Sequence, residues 1–394
     1  MSSGENAYRG LQFSIFAGAF VLGIAISALG SLLPALFSVI GFQKAAAGGL
    51  FLAMNFSMLI GSLVFGPICD RFGYRVLLLL STLMVAGAFG LLSGAAGYRM
   101  VLLSLVVLGL GGGALNGAIN ALLNDISPER RNRALNLLGL FFGFGALFTP
   151  FLIGSTLDLL GLRTILLSLS IFALGPFVLF LAARFPAPKH REGFSRTELA
   201  ALFHSPLLFL FGLLLFFQSG NEFTVGGWLS TYLGESAGMS PRAAAFALAG
   251  FWTAFMLGRL AASRWGERLS SAAVVTGSAV LGCLAVSWLI LLPGRAWGFV
   301  WVPLIGLGFA AIFPTILAEA GAVFASYSGT AFGALFVMAL CGGMSAPWLV
   351  GRIAQEHGIG AGFWITAFGC ASIAALRIVI KRLTVEAKST QTNP

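Results

Sequence analysis

The sequence predicts an all-α membrane protein with twelve transmembrane helices in two pseudo-symmetric six-helix bundles. Composition, the spacing of polar breaks and an internal repeat indicate this fold. Hydrophobic residues make up 58% of the 394 residues and charged residues 9%, whereas a soluble domain carries roughly 25% charged residues. The mean hydropathy is +0.95. This composition cannot cover a water-facing surface, which excludes a soluble enzyme, a disordered regulator and a disulfide scaffold.

Each predicted helix is an apolar run that ends at a charged or turn-rich break. A membrane-spanning helix needs about 20 apolar residues. Gly10 to Gln43 contains no charge and is too long for the apolar region of a signal peptide, so it is predicted to be a retained first helix. Eleven breaks then divide the chain into twelve helices. They lie near Gln43–Lys44, Asp70–Arg75, Gly97–Arg99, Asp125–Arg133, Asp158–Arg163, Arg184–His204, Glu235–Arg242, Arg264–Ser270, Pro293–Arg295, Glu319–Ser328 and Arg352–Gly358.

The distribution of Lys and Arg predicts the orientation. With the N-terminus inside, segments on the cytoplasmic side hold 17 of the 23 basic residues and segments on the other side hold 6. This bias satisfies the positive-inside rule and predicts cytoplasmic N- and C-termini in the plasma (inner) membrane. The basic residues behind the formal net charge of +10 are therefore interpreted as lying mostly at the cytoplasmic surface, next to anionic lipid. No nucleic-acid partner is predicted.

An internal repeat appears when the sequence is shifted by 197 residues, half its length. Gly61 then falls on Gly258, and Gly109-Leu-Gly111 falls on Gly306-Leu-Gly308. Further matches pair Gly23 with Gly220, Gly30 with Gly227, Gly145 with Gly342, Pro150 with Pro347, Gly154 with Gly351 and Gly161 with Gly358. Parallel halves of this kind occur in secondary transporters. The predicted domains are an N-terminal bundle over 1–184, a cytoplasmic linker over 185–204 and a C-terminal bundle over 205–394.

A motif between the second and third predicted helices suggests a family. Residues 66–75 read Gly-Pro-Ile-Cys-Asp-Arg-Phe-Gly-Tyr-Arg, which resembles the loop signature G-x-x-x-D-R-x-G-x-R of the major facilitator superfamily. Within it, residues 128–146 and 221–232 resemble the fucose–proton symporter branch. The resemblance implies alternating access, with a gate formed by Asp70, Arg71 and Arg75. A weaker copy of that gate is expected at Arg259, Glu267 and Arg268.

Glu222 is the strongest candidate for the coupling site. It lies 17 positions beyond Ser205, about 25 Å along a helix, near the middle of the membrane. An ionisable group at that depth is costly and points to function. Gln218 and Asn221, four and one positions earlier, are predicted to share its helical face. The alternative is a packing role, although the repeat places Ala25 at the equivalent position, so the fold does not require the acid.

Polar and aromatic residues supply further candidates for the cavity. Asn116, Asn120 and Asn124 recur every four residues along the fourth predicted helix, and amides there suit either substrate hydroxyls or interhelical hydrogen bonds. Asn116 and Asn120 are predicted to contact substrate or proton. Trp228 and Trp252 are predicted to line the cavity, with core packing as the alternative for both.

No cofactor or metal is predicted. The four cysteines are far apart and form no Cys-x-x-Cys pair, which argues against a zinc site. Gly109, Gly113 and Gly117 are not preceded by a strand and are interpreted as helix-packing positions instead of a nucleotide-binding loop.

The predicted function is secondary active transport of a small neutral solute, such as a sugar or polyol, with proton symport and without enzymatic catalysis. The partners are the small-molecule substrate, the proton and the lipid bilayer, and the chain is expected to be a monomer. One alternative is a proton-driven exporter of amphipathic or drug-like compounds. Another, of a different class, is a transport-inactive receptor or a lipid scramblase.

Overall fold

The computed structural model describes residues 8–127, 131–186, 205–265, 269–324 and 328–391, and within these ranges the chain forms helices joined by short turns. The helices are α1 (Arg9–Ile40), α2 (Lys44–Ser93), α3 (Tyr98–Ile126), α4 (Arg131–Ala182), α5 (Pro206–Ser236), α6 (Pro241–Trp265), α7 (Ser271–Leu291), α8 (Arg295–Ala310), α9 (Ile312–Val323), α10 (Ser328–His357) and α11 (Ile359–Gln391). The predicted all-helical class is confirmed.

Eleven segments of the described residues are long and apolar enough to cross a membrane. Ten of them are 21 to 32 residues long, and the other, Leu137–Ala182, has 46 residues, about twice what one crossing requires. The chain is therefore an integral membrane protein with many spans.

Two glycines interrupt the long helices at the places where the sequence predicted breaks. Gly73 in α2 has φ 78° and ψ 167°, and Gly161 in α4 has φ 71° and ψ 161°. Backbone with positive φ and ψ near 180° is essentially confined to glycine and costs other residues about 1–3 kcal/mol, so glycine is the residue that allows the chain to turn here. The predicted breaks over 70–75 and 158–163 are confirmed at these positions.

The described helices fall into two compact units. Unit 1 comprises the described residues within Met1–Glu192 together with Met239–Ala249, and unit 2 those within Gly193–Gly238 and Gly250–Pro394. The first third of α6 thus groups with unit 1, whereas the predicted C-terminal bundle began at residue 205. Each unit has its own buried apolar cluster, around Ile15, Leu115 and Phe180 in unit 1 and around Leu215 and Leu335 in unit 2.

Unit 2 also contains a stack of three indole rings. The rings of Trp288 and Trp301 lie 6.1 Å apart and 17° from parallel, and those of Trp297 and Trp301 lie 5.9 Å apart and 16° from parallel. Trp288 and Trp297 are about half exposed. Trp297 lies two residues after the start of α8, near a helix end, where tryptophan commonly meets the membrane–water interface.

The glycines of the sequence repeat mark equivalent close approaches between helices in the two units. A side chain at Gly109 would overlap the carbonyl oxygen of Met54, and one at Gly306 would overlap that of Phe251. Met54 and Phe251 are themselves related by the 197-residue shift. Small residues allow two helix backbones to approach this closely in a membrane. The repeated glycines therefore make the same kind of helix–helix contact in unit 1 and in unit 2.

Gly306→Ala is expected to lower the thermal stability, because the added methyl group must displace the backbone of α6. Overpacking of this kind costs about 1–3 kcal/mol. Gly139→Ala in α4 is the matched control, since nothing lies within 4 Å of a methyl group there. Thermal unfolding in detergent measures both, and equal melting temperatures for the two variants would contradict the packing role of Gly306.

Candidate functional site

The candidate site lies in unit 2, where α5 and α6 place two opposite charges within their membrane-spanning segments. From the turn at 237–240, Glu222 lies about 14 residues back along α5 and Arg259 about 18 residues along α6, or about 21 and 27 Å at 1.5 Å per residue. Both side chains are half-buried, and they interact electrostatically. Ionisable groups at this depth are costly and mark functional sites by default.

One face of α6 supplies aromatic rings beside the cation. Trp252, Phe255 and Arg259 follow each other at intervals of three and four residues, so they share one helical face. The guanidinium carbon of Arg259 lies 4.4 Å from the Phe255 ring centroid, and the Trp252 and Phe255 centroids are 5.6 Å apart with their planes at 77°. A cation at this distance from an aromatic face is stabilised by the ring, which positions Arg259.

The facing surface of α5 is formed by Glu222 and Gly226, one helical turn apart. A Cβ atom at Gly226 would lie 3.3 Å from the indole of Trp252, so the missing side chain lets this ring approach the α5 backbone. Gly226 and Trp252 are about 10 and 11 residues from the turn, at nearly equal depth. The Glu222–Gly226 face therefore lies opposite the Trp252–Phe255–Arg259 face.

The site contains two buried hydrogen-bond donors. Among the described residues, neither the Nε atom of Arg259 nor the Nε1 atom of Trp252 has a hydrogen-bond partner. Within the same part of the chain, no nitrogen of Arg259 lies within 4.0 Å of a Glu222 carboxylate oxygen. A buried donor without a partner costs about 1–3 kcal/mol. The site therefore offers unpaired donors, a nearby carboxyl group and two aromatic rings packed edge to face.

Gln218 and Asn221 form contacts between helices. Gln218 is fully buried and its Nε2 donates to the carbonyl oxygen of Phe309, 3.0 Å away. The Asn221 amide faces α11. In the amide orientation that satisfies both of its polar atoms, it donates to the Thr366 carbonyl and accepts from the Cys370 N–H, each at 3.2 Å. The prediction that Asn221 shares a face with Glu222 is wrong, because consecutive helical residues point about 100° apart.

Trp228 also makes a contact between helices. Its side chain is fully buried, and Nε1 donates to the carbonyl oxygen of Pro347 in α10 at 3.0 Å. This geometry matches the packing alternative for Trp228. Trp252, by contrast, lies on the face that bears Arg259.

Asn116 and Asn120 lie on α3 in unit 1. Nδ2 of Asn120 donates to the backbone oxygen of Asn116 at 2.9 Å and to its Oδ1 at 3.1 Å. Both side chains are half-buried. The two amides are thus bonded to each other along one helix, and their contact with substrate or proton stays a prediction.

The predicted gate residues are only partly described. Arg71 and Arg75 are exposed, and Nη2 of Arg75 donates to the carbonyl oxygen of Leu181 at 2.9 Å, at the end of α4. This bond satisfies a carbonyl group that the helix end leaves without a partner. The side chain of Asp70 lies outside the described residues, as do Glu267 and Arg268. The gate stays a prediction.

Unit 2 also contains an ion pair that was not predicted from the sequence, on the cytoplasmic side of the predicted topology. Nη2 of Arg377 in α11 lies 2.7 Å from Oε2 and 2.9 Å from Oε1 of Glu319 in α9. The side chains are 6% and 23% exposed. Arg377 was counted as a topology charge, although it lies three residues before Ile380, within the last apolar run. A charged residue inside an apolar run indicates that an opposite charge lies nearby, so the ion pair of Arg377 could have been predicted from this position.

A cavity of about 420 Å³ lies elsewhere in unit 2, between α5, α10 and α11. Its lining is almost entirely apolar and includes neither Glu222 nor Arg259. Trp364 and Phe368, which line it, are 44% and 66% exposed. Exposed apolar side chains on membrane helices are typical of a surface in contact with lipid, so this cavity is not assigned to the solute.

Comparison with known proteins identifies the family. Residues 15–345 match the Major Facilitator Superfamily. The chain belongs to this superfamily, and it is a transporter and not an enzyme. The family predicted from residues 66–75 is therefore confirmed.

Three similar proteins illustrate the relationship. The uncharacterized transporter y4wD of Sinorhizobium fredii is 25% identical over 382 residues, 93% of this chain and 97% of its own. The crystal structure of the nucleoside transporter NupG has a TM-score of 0.80 at 14% identity, covering 94% of this chain and 99% of that one. The Escherichia coli fucose:proton symporter FucP has a TM-score of 0.65 at 20% identity, covering 95% and 99%. The predicted resemblance to the fucose symporter is thus confirmed.

Proposed function

We propose that this chain is a secondary active transporter that couples the movement of a small solute to a proton carried by Glu222. The observation that supports this most is the electrostatic pairing of Glu222 with Arg259 inside the membrane-spanning segments. In the described part of the chain, no nitrogen of Arg259 lies within 4.0 Å of a Glu222 oxygen. The carboxylate attracts the guanidinium when ionised and releases it when protonated, so protonation changes what Arg259 can bind. The name of FucP, a fucose:proton symporter, supports proton coupling as the first mechanism to test.

The proposed layout has twelve membrane helices, obtained by dividing Leu137–Ala182 at Gly161. The two bundles cover 1–184 and 205–394, the linker covers 185–204, and both termini are cytoplasmic in the plasma (inner) membrane of a monomer. Asp70, Arg71 and Arg75, with Glu267 and Arg268, form the proposed gate. Arg259 is assigned to the coupling site.

Cysteines introduced at Arg191 and Gly294 are expected to react from opposite sides of the membrane. The reason is the excess of basic residues on one side of the predicted topology. A membrane-impermeant maleimide applied to intact cells and to inverted vesicles measures this in a background without the four native cysteines. Labelling of both sites from the same side would contradict the twelve-helix layout.

The sequence predicts a neutral sugar or polyol as the solute. Export of amphipathic compounds is a second possibility, and a receptor or lipid scramblase is a third. The direction in which the solute moves and the gradient that drives it distinguish these possibilities. An exporter moves dye out of the vesicle interior as protons enter, a scramblase equilibrates labelled lipid, and a receptor binds solute without moving it.

Proteoliposomes test the proposed function. Purified protein is reconstituted, a pH gradient is imposed, and uptake of labelled sugars, polyols, nucleosides and monocarboxylates is followed against protein-free liposomes. Accumulation of at least one class above its equilibrium level, abolished by a protonophore, is the expected result. If no solute accumulates in response to the pH gradient, the proposed function is wrong.

A further inference from the structure

We infer that Arg259 binds the carboxylate of a small organic anion in competition with Glu222, so that one anion and one proton cross together without net charge. This inference rests on the proposed function and narrows its solute. It replaces the neutral sugar or polyol that the sequence predicted.

The guanidinium group of Arg259 is suited to bind a carboxylate. A guanidinium has five N–H donors, no acceptor and a permanent charge, and its planar fork matches a carboxylate. Here it rests against the ring of Phe255, and its Nε is buried without a partner in the described part of the chain. Such a group requires an anion to neutralise it.

Glu222 and Arg259 are the charged groups of this site. Glu222 and Arg259 interact electrostatically with each other. Within the described residues, the other helices of unit 2, including α8, α10 and α11, add no charge to these interactions. The positive charge of Arg259 can therefore be balanced by Glu222 or by a ligand, and these two compete.

Two aromatic side chains lie beside the cation on the same face of α6. Trp252 is 3% exposed and its Nε1–H has no acceptor among the described residues. It lies two helical turns from Arg259, about 10 Å along α6, with Phe255 between them. Aromatic and apolar groups beside a cation favour a ligand that carries its carboxylate on a compact apolar body, as a small aromatic monocarboxylate does.

Charge balance then couples the two species. In the empty site the ionised Glu222 and Arg259 sum to zero. In the loaded site a protonated Glu222, Arg259 and the bound carboxylate again sum to zero. A site with only the proton, or only the anion, carries one uncompensated charge, which is costly in a low-dielectric environment. The carrier therefore changes conformation only when it is empty or when it holds both.

Binding is tested with two molecules of nearly the same size and shape, one an anion and the other a neutral amide. Benzoate is expected to raise the melting temperature of the purified protein in detergent by several degrees, whereas benzamide, L-fucose and mannitol leave it unchanged. The Arg259→Gln variant is expected to lose the benzoate response. Arg264→Gln, at an exposed position on the same helix, is expected to keep it.

Equal stabilisation by benzamide, or an undiminished benzoate response in Arg259→Gln, would overturn the inference. If Arg259→Gln does not fold, the comparison of benzoate with benzamide on the parent protein still decides. Arg259→Lys then supplies a variant with the charge kept and the planar fork removed, and at least a tenfold weaker benzoate response is expected.

Transport is tested by separating the pH gradient from the membrane potential. Uptake of labelled benzoate into proteoliposomes, after subtraction of protein-free liposomes, is expected to follow the pH gradient and to ignore a potassium–valinomycin potential of either sign. A neutral solute moving with a proton would instead respond to the potential, because a net charge crosses. Potential-driven uptake of fucose or mannitol without benzoate transport would overturn the inference and leave the proposed function intact. Absence of any response to the pH gradient would overturn both.

Discussion

Replacement of Glu222 by glutamine is expected to abolish accumulation driven by a pH gradient and to leave exchange of solute for solute active. The amide keeps the volume of the side chain but cannot ionise, so it resembles the protonated carboxyl group in charge. Arg259 then stays available to the solute, and the loaded site can change conformation. The empty site has lost its compensating charge and cannot return, so net uptake stops.

Counterflow and pH-driven uptake, measured on the same liposomes, separate these two activities. Glu356→Gln is the matched control, since Glu356 is exposed near the end of α10, and it is expected to retain both. If Glu222→Gln accumulates solute as well as the parent, Glu222 is not the proton carrier. A purely structural glutamate would show itself differently, with a lower melting temperature and an unchanged pH dependence of uptake.

Arg377→Met is expected to lower the free energy of unfolding by about 3–5 kcal/mol, because it leaves the carboxylate of Glu319 in a largely buried position without its partner. The ion pair itself contributes much less than this loss suggests, since both charges were taken out of water to form it. The double variant Glu319→Leu with Arg377→Met removes both charges. It is therefore expected to recover most of the lost stability.

Thermal unfolding of the single and double variants in one detergent measures the coupling between the two positions. Arg264→Met, at an exposed site, controls for loss of a positive charge and is expected to change the melting temperature little. A single Arg377→Met variant as stable as the parent would contradict the role of the ion pair.

The spans and their breaks were predictable because their signals are local. A run of about 20 apolar residues has few alternatives to a membrane helix, and glycine is the residue that accepts the backbone found at Gly73 and Gly161. The packing of Gly109 and Gly306 was also visible in the sequence. A position that must stay small in both halves leaves the same residue in both copies of the repeat.

The site was less predictable, because it depends on how each helix is rotated about its axis. Glu222 was identified from depth alone, whereas Arg259 was assigned to a gate, since nothing in a single sequence shows which residues 37 positions apart will face each other. Asn221 was placed beside Glu222 although helix geometry alone separates consecutive residues by about 100°, and it faces α11. Arg377 was hidden in a count of basic residues, which uses the position of a charge and ignores its partner.

The stacked indoles of Trp288, Trp297 and Trp301 give the molecule an intrinsic optical label. All eight tryptophans lie between Trp228 and Trp364, within unit 2, so ultraviolet fluorescence excited at the red edge of protein absorption reports on that unit alone. Nearly parallel rings about 6 Å apart couple their electronic transitions and add a circular dichroism signal. The part of that signal due to Trp288 and Trp301 disappears when α7 and α8 separate, because this pair joins the two helices. Unfolding of unit 2 can therefore be timed separately from that of unit 1, without attaching a dye.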